Sequence, residues 1–296
     1  MASPSNGSRM LPLFRMALMI GSFLLCWWAL RSGPIGQVAL PKELTAADKA
    51  LKAGDTAKAR AQFDQLLHAH PTDLALYTQI LSLCETYKQW NLMVAYTQSA
   101  LYAFKEEPYP VRAQLNILLS NAYQEAEPKR PQNNALYAAE TAYQLDSNNP
   151  VIWNAYGYML VDNDQKLPEA TEMIRKALEE ARASSDPNLK LQIPAMEDSY
   201  GWALCKQGHY KEAAEILLKA LYDYPNGTPS EALKVSHYHL GAAYRQMEEF
   251  EEARQSLRSA LYYDADYADA KEELAKIPQP ADTASPTSAA PPAPKP

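Results

Sequence analysis

The feature that most restricts how this chain can fold is an internal repeat with a fixed spacing of small and large apolar residues. The clearest copy, residues 196–225, reads MEDSYGWALCKQGHYKEAAEILLKALYDYP. Gly201, Ala213 and Ala220 mark where two helices approach each other closely, and Pro225 ends the unit because proline cannot continue a helix. One similar copy precedes it and one follows it. A single helical hairpin cannot bury its apolar stripe, so neighbouring copies must stack and share a core.

Weaker copies extend the pattern toward the N-terminus, which gives six units in all. The chain has only 10 glycines, and Ala, Leu, Glu and Lys are frequent in its middle part, which favours helix. The longer spacings between the later copies place extra loops at ASSDPNLKLQ and NGTPSE. We therefore predict an all-α domain over 41–277 with one continuous core. Its units occupy 41–73, 74–107, 111–149, 150–183, 194–227 and 234–267, and a helix within 265–277 caps the last unit.

The residues from Pro150 to Asp264 resemble a tetratricopeptide repeat (TPR) protein. The segments NAYGYMLVDN and EDSYGWALCKQGHYKEAAEILLKAL are especially similar to repeats of bacterial cell-envelope adaptors. The resemblance implies a right-handed superhelical solenoid of about six hairpins. It also implies a non-catalytic scaffold that binds a protein or peptide partner.

In this family the first helix of each hairpin lines a concave groove, and the groove residues recur at fixed places. Aromatic and cationic side chains on such a surface suit an extended peptide or a helix. The alternative is that Tyr158, Trp202 and Tyr238 only pack between neighbouring helices. Carried onto this sequence, the groove positions are Asn154, Tyr158, Asp198, Trp202, Lys206, Tyr238, Arg245 and Gln246.

The N-terminal part contains one apolar segment, residues 16–30, with fifteen uncharged residues between Arg15 and Arg31. A spanning helix needs about 17–25 residues and a signal-peptide core about 7–15, so length alone leaves both readings open. The sequence after Leu30 offers a poor cleavage site, which favours an uncleaved anchor; a cleaved signal and a buried core helix are the alternatives. The positive charge lies mainly before the segment, which places residues 1–15 in the cytoplasm and, beyond the linker 31–40, the repeats in the periplasm. After signal cleavage, the repeats would instead be secreted to the periplasm.

Several function classes are disfavoured by the sequence. The net charge of −7 provides no basic face for nucleic acid. No nucleotide-binding, hydrolase or zinc-protease motif occurs, and the pairs His68/His70 and His237/His239 have a spacing that points two rings to different sides of a helix. We therefore predict no enzyme activity, no cofactor and no metal.

The last segment, residues 278–296, is dense in Pro and Ala and is predicted to be a disordered tail. The sequence as a whole predicts a membrane-anchored scaffold or adaptor of the cell envelope. A second hypothesis is an accessory subunit of a protein export or envelope assembly machine. Stacks of this kind can also self-associate through their terminal faces.

Overall fold

The computed structural model describes residues 42–126 and 133–278. Within these ranges it contains fourteen helices and no strand, so the all-α prediction is confirmed. Twelve of the helices form six consecutive hairpins. These are α1 (Lys42–Lys52) with α2 (Thr56–Ala69), α3 (Leu74–Thr86) with α4 (Trp90–Ala103), α5 (Tyr109–Ala126) with α6 (Asn133–Leu145), α7 (Pro150–Asp162) with α8 (Leu167–Ala183), α10 (Ile193–Lys206) with α11 (Tyr210–Asp223), and α12 (Ser230–Gln246) with α13 (Phe250–Tyr263). The other two are the short α9 (Pro187–Lys190) and the final α14 (Ala268–Ala275).

Helix starts and turns follow from local chemistry. The Asp55 carboxylate accepts a hydrogen bond of 3.0 Å from the Lys58 N–H at the start of α2, and the Asn149 side chain caps α7 in the same way. Gly54 and Gly208 adopt positive φ in the turns inside their hairpins, where a side chain is disfavoured. These caps and turns fix where each hairpin folds back on itself.

The first helices of successive hairpins form one surface of the stack. In addition to contacting its own partner helix, α7 contacts α5 and α10, and α10 contacts α12. Residues on the exposed side of α7, α10 and α12 therefore lie next to one another. This surface is the one on which the groove residues were predicted.

Glycine sets the distance between the two helices of a hairpin. A Cβ atom placed on Gly157 would lie 2.7 Å from Ile174 Cγ1, and one placed on Gly241 would lie 2.6 Å from Leu257 Cγ. Real Cβ atoms do not come this close to other atoms. The repeated glycine therefore allows the branched side chain of the second helix to fill the space against the first.

The buried side chains form two large groups rather than one continuous core. One group extends from Leu44 to Ala122 and the other from Ala135 to Ala243. A smaller group on α5, α6 and α7 lies between them. The boundary falls at α6, whose buried residues are all alanines, and their short side chains do not span both neighbouring hairpins.

The last helix covers the end of the stack. Ala270 on α14 and Ile277 beyond it are buried against Ala253, Leu257 and Ala260 of α13. A finite stack of hairpins needs such a cover because its last unit would otherwise expose apolar surface.

Two inserts differ from the sequence prediction. Residues 187–190, expected in a loop, form the short helix α9, which Asp186 caps by accepting a hydrogen bond from the Asn188 N–H. The second loop is shorter than expected because α12 already begins at Ser230. In both cases a proline sits at or just before the start of the helix, a position that proline favours.

The apolar segment 16–30, its flanks 1–15 and 31–40, and residues 279–296 of the tail lie outside the described residues. Within 42–126 and 133–278, no helix is both long enough and apolar enough to cross a membrane.

Candidate functional site

Four rings from three neighbouring first helices meet on the predicted groove surface, and we call them the aromatic cluster. They are Tyr158 on α7, Trp202 on α10, and Tyr238 and His239 on α12. The Trp202 and His239 rings are stacked with centroids 4.3 Å apart, and Trp202 and Tyr238 are 5.7 Å apart. Tyr158 lies 6.1 Å from His239. The rings therefore both line this surface and join its helices.

Polar atoms beside the aromatic cluster are incompletely hydrogen-bonded. Asp198 is 6% exposed, and its Oδ2 lies 3.1 Å from His239 Nδ1. Its other oxygen, Oδ1, has no hydrogen-bond partner among the described residues, and the same holds for Asn154 Oδ1 and Trp202 Nε1. A buried polar atom without a partner costs about 1–3 kcal/mol, so two acceptors and one donor here are energetically unsatisfied.

The remaining predicted groove residues lie toward one end of the surface. Lys206 Nζ is 5.4 Å from the Trp202 ring and forms an ion pair of 2.7 Å with Asp164. Arg245 is engaged by Glu273 of α14, and Gln246 is exposed. The structure thus gathers Tyr158, Asp198, Trp202 and Tyr238, with Lys206 at the edge. The binding role of all eight residues stays a prediction.

The sequence analysis missed the residues that cover this surface. The turn between α13 and α14, residues 264–267, contacts this surface on α12, and we call it the closing turn. Its Tyr267 ring packs edge-on against Tyr238 with centroids 5.4 Å apart, and Lys234 Nζ lies 4.4 Å from the centre of the Tyr267 ring. Its Asp264 carboxylate lies 3.7 Å from Lys234 Nζ and 3.6 Å from Lys88 Nζ.

The contact with Lys88 joins distant parts of the chain. Lys88 belongs to the turn of the second hairpin, whereas Asp264 directly follows the sixth hairpin. Lys234 contacts both Asp264 and Tyr267 of the closing turn. It is only 5% exposed and also pairs with Glu231. The stack is therefore curved enough for its sixth hairpin to reach its second.

Burial controls the ionisation of groups around the closing turn. It raises the pKa of Tyr267 and of Tyr158, and nearby carboxylates raise both further, so the two phenols stay neutral. Burial alone would raise the pKa of Asp264, but the hydrogen bond from the Asp266 N–H and the charges of Lys88 and Lys234 outweigh it. The pKa of Asp264 therefore lies below its usual range, and its carboxylate is charged at neutral pH.

The other buried thiols and rings of the described residues have pKa values set mainly by burial. Burial raises the pKa of Cys84 and of Cys205 to about 12, so both thiols stay protonated. His237 stacks on Tyr263 at 5.9 Å, and burial lowers its pKa. Across the described ranges, no group of three His, Cys, Asp or Glu side chains is placed to hold a metal ion.

Comparison with known proteins now identifies the repeat. The family model described as "Tetratricopeptide repeat" matches residues 199–227, which cover most of α10 and all of α11. Residues 199–227 therefore match one tetratricopeptide repeat (TPR). The match falls on the hairpin whose Gly201, Ala213 and Ala220 carried the resemblance in the sequence.

One protein with a similar sequence is also described as containing this repeat. A TPR repeat-containing protein of Pseudomonas aeruginosa is 27% identical over 200 residues, which are 66% of this chain and 30% of that protein. The chain therefore spans less than a third of that relative's length.

A solved structure with a TM-score of 0.54 has a similar fold. A monomeric mutant of IFIT1 with m7Gppp-AAAA has a TM-score of 0.54 at 14% identity, covering 90% of this chain and 62% of that one. YrrB, described as a TPR protein with an unusual peptide-binding site, has a TM-score of 0.39 at 18% identity, covering 71% of this chain and 96% of that one. At these identities the likeness concerns the fold alone.

Proposed function

We propose that this TPR protein is a membrane-anchored scaffold of the cell envelope that holds a segment of another polypeptide on the surface formed by α7, α10 and α12. Its TPR fold is consistent with a scaffold for protein–protein interaction. The location of the binding surface, the membrane anchor and the cell envelope are the parts that we propose.

The observation that carries the binding surface is the set of unpaired polar atoms beside the aromatic cluster. A polypeptide backbone presents N–H donors and C=O acceptors in alternation. These atoms are buried, so a partner's N–H groups would reach Asn154 Oδ1 and Asp198 Oδ1, and its C=O group Trp202 Nε1, once the side chains that cover them move aside. The rings of Tyr158 and Tyr238 add flat apolar contact area at a small entropic cost.

The membrane part of the proposal is supported by the sequence of residues 1–40. The segment 16–30 is uncharged, and Arg9 and Arg15 precede it. Such a distribution favours an N-terminus in the cytoplasm and repeats on the other side of the membrane. Retention of the full-length chain in membranes after alkaline extraction, with residues 1–15 intact, would support an anchor. Release of a shortened chain would support a cleaved signal.

Site-specific photocrosslinking in cells tests the binding surface. A photoreactive phenylalanine analogue replaces Tyr238 on the proposed surface. In a separate control it replaces Tyr222, which is 89% exposed and lies on α11, the second helix of the fifth hairpin. We expect a covalent adduct with another polypeptide from position 238 and none from position 222. Adducts from position 222 alone would show that partners use the outer surface, and the proposed binding surface would be wrong.

A further inference from the structure

The closing turn makes contacts beyond the packing of the final helix. Helix α14 is held to α13 by Ala270 and Ile277, and Tyr267 packs against the same apolar group. The Tyr267 ring also contacts α12, and the Asp264 carboxylate contacts both α12 and the turn of the second hairpin. Covering the last hairpin therefore accounts for only part of the contacts of these two side chains, and they occupy the surface proposed for a partner.

The contacts of the closing turn have the character of a bound ligand. The Tyr267 ring contacts both Lys234 Nζ and the Tyr238 ring, which combines a cation–π contact with an edge-on aromatic pair. The Asp264 carboxylate, three positions earlier, lies between Lys234 and Lys88. Two lysines and the Tyr238 ring thus contact one carboxylate and one tyrosine ring that are three residues apart in the sequence.

The burial of Lys234 makes this recognition specific. A buried ammonium group is costly unless an opposite charge compensates it. Glu231 and Asp264 supply that charge in this structure. When the closing turn leaves, Lys234 loses one of these two carboxylates, so a replacement that brings its own carboxylate is favoured over an uncharged one.

We propose that the closing turn is an internal ligand of the concave surface and that a partner displaces it with a segment of the same chemistry. That segment carries a carboxylate followed three residues later by a tyrosine ring, as in Asp264-Ala265-Asp266-Tyr267. The inference rests on the proposed function and names the ligand class and the regulation of the same surface. While the closing turn occupies this surface, it competes with the partner for Lys234 and Tyr238.

A peptide-binding experiment tests the inference on the full-length chain in detergent. The probe is a dye-labelled synthetic peptide of residues 263–270, and its fluorescence anisotropy reports binding. We expect the Tyr267→Ala chain to bind the peptide about tenfold or more tightly than the unchanged chain, because the competing internal ring is gone. The Tyr262→Ala chain is the matched control, since Tyr262 is 85% exposed, and it should bind like the unchanged chain.

Peptide variants check which groups are recognised. Replacement of the aspartate at the position of Asp264 by asparagine, or of the tyrosine at the position of Tyr267 by alanine, should abolish the gain. An Asp264→Asn chain should also bind the peptide more tightly, because it removes the competing carboxylate and leaves Lys88 and Lys234 in place. Equal peptide affinity for the Tyr267→Ala, Asp264→Asn and Tyr262→Ala chains, all with unchanged helical circular dichroism, would show that the closing turn is structural only.

Crosslinking from position 238 separates this inference from the proposed function. If both hold, the adduct yield rises when Tyr267→Ala is added. If adducts form but their yield does not change, the surface binds a partner and the internal-ligand inference is wrong. If no adduct forms in either background, the proposed binding surface itself is wrong.

Discussion

At the scale of single residues, the packing of glycine against a branched side chain is what keeps each hairpin tight. In the sixth hairpin, a Cβ atom on Gly241 would lie 2.6 Å from Leu257 Cγ and 3.2 Å from the Leu257 backbone N. The side chain could shift, but the backbone atom could not move without separating α12 from α13. The equivalent contact joins Gly201 to Leu217 in the fifth hairpin.

We expect Gly241→Ala to lower the free energy of unfolding by about 1–3 kcal/mol, because the added methyl group overpacks the hairpin. Urea denaturation followed by circular dichroism measures the change. Leu257→Ala alone should cost about 2–5 kcal/mol by leaving a cavity. The double variant should lose clearly less than the sum, and strict additivity would contradict a direct contact between the two sites.

Sequence reasoning located several residues of the candidate site but not their arrangement. Position within the repeat was enough to place Tyr158, Asp198 and Trp202 on one surface. It did not reveal that Trp202 stacks on His239, because His239 lies outside the groove positions of the repeat and reaches Asp198 from a helix 41 residues further along the chain. Contacts between neighbouring hairpins depend on the rotation of one unit against the next, which the repeat pattern does not encode.

At the scale of secondary-structure elements, α14 protects the apolar side of α13. Its buried contact is small and rests on Ala270, together with Ile277 beyond the helix end. The amphipathic pattern of residues 265–277 indicated this helix in the sequence. The pattern did not indicate α9, because four residues are too few to show a period, and the Asp186 cap and Pro187 determine that helix locally.

We expect Ala270→Asp to detach α14, because the new carboxylate would be buried without a partner against Ala253 and Leu257. Backbone amides of α14 should then exchange hydrogen rapidly, and the free energy of unfolding should fall by about 1–3 kcal/mol. Ala268→Asp, at the exposed first position of the same helix, is the control and should leave exchange unchanged. Slow exchange in both variants would show that α14 does not depend on this contact.

At the scale of the whole molecule, the division of the core into two large groups predicts two regions of separate stability. Phe63 is fully buried in the first group and Leu217 in the second. In a stack, each hairpin interacts mainly with its neighbours, so a local defect affects nearby units most.

We expect Phe63→Ala, which costs about 3–5 kcal/mol, to raise hydrogen exchange mainly in α1–α4, and Leu217→Ala, which costs about 2–5 kcal/mol, to raise it mainly in α10–α13. Mass spectrometry of peptide fragments measures both. Each variant is the control for the other. An equal increase along the entire chain in both variants would mean that the stack unfolds as one unit.

The overall curvature is the property that sequence reasoning could least predict. Each hairpin adds a small rotation, and only their sum decides whether Lys88 reaches Asp264. Neither residue carries a signal in the repeat pattern, since Lys88 lies in a turn and Asp264 follows the last hairpin. The sequence therefore predicted Tyr267 within the capping segment 265–277 and did not predict its contact with Tyr238.

The ion pair between Lys88 and Asp264 has a kinetic consequence. It links the turn of the second hairpin to the end of the sixth, so a partner that displaces the closing turn must wait for this pair to separate. A surface pair of this kind contributes only about 0–1 kcal/mol, so separation is easy. The association rate of a partner would then depend on how often the pair separates as well as on how often the two molecules meet.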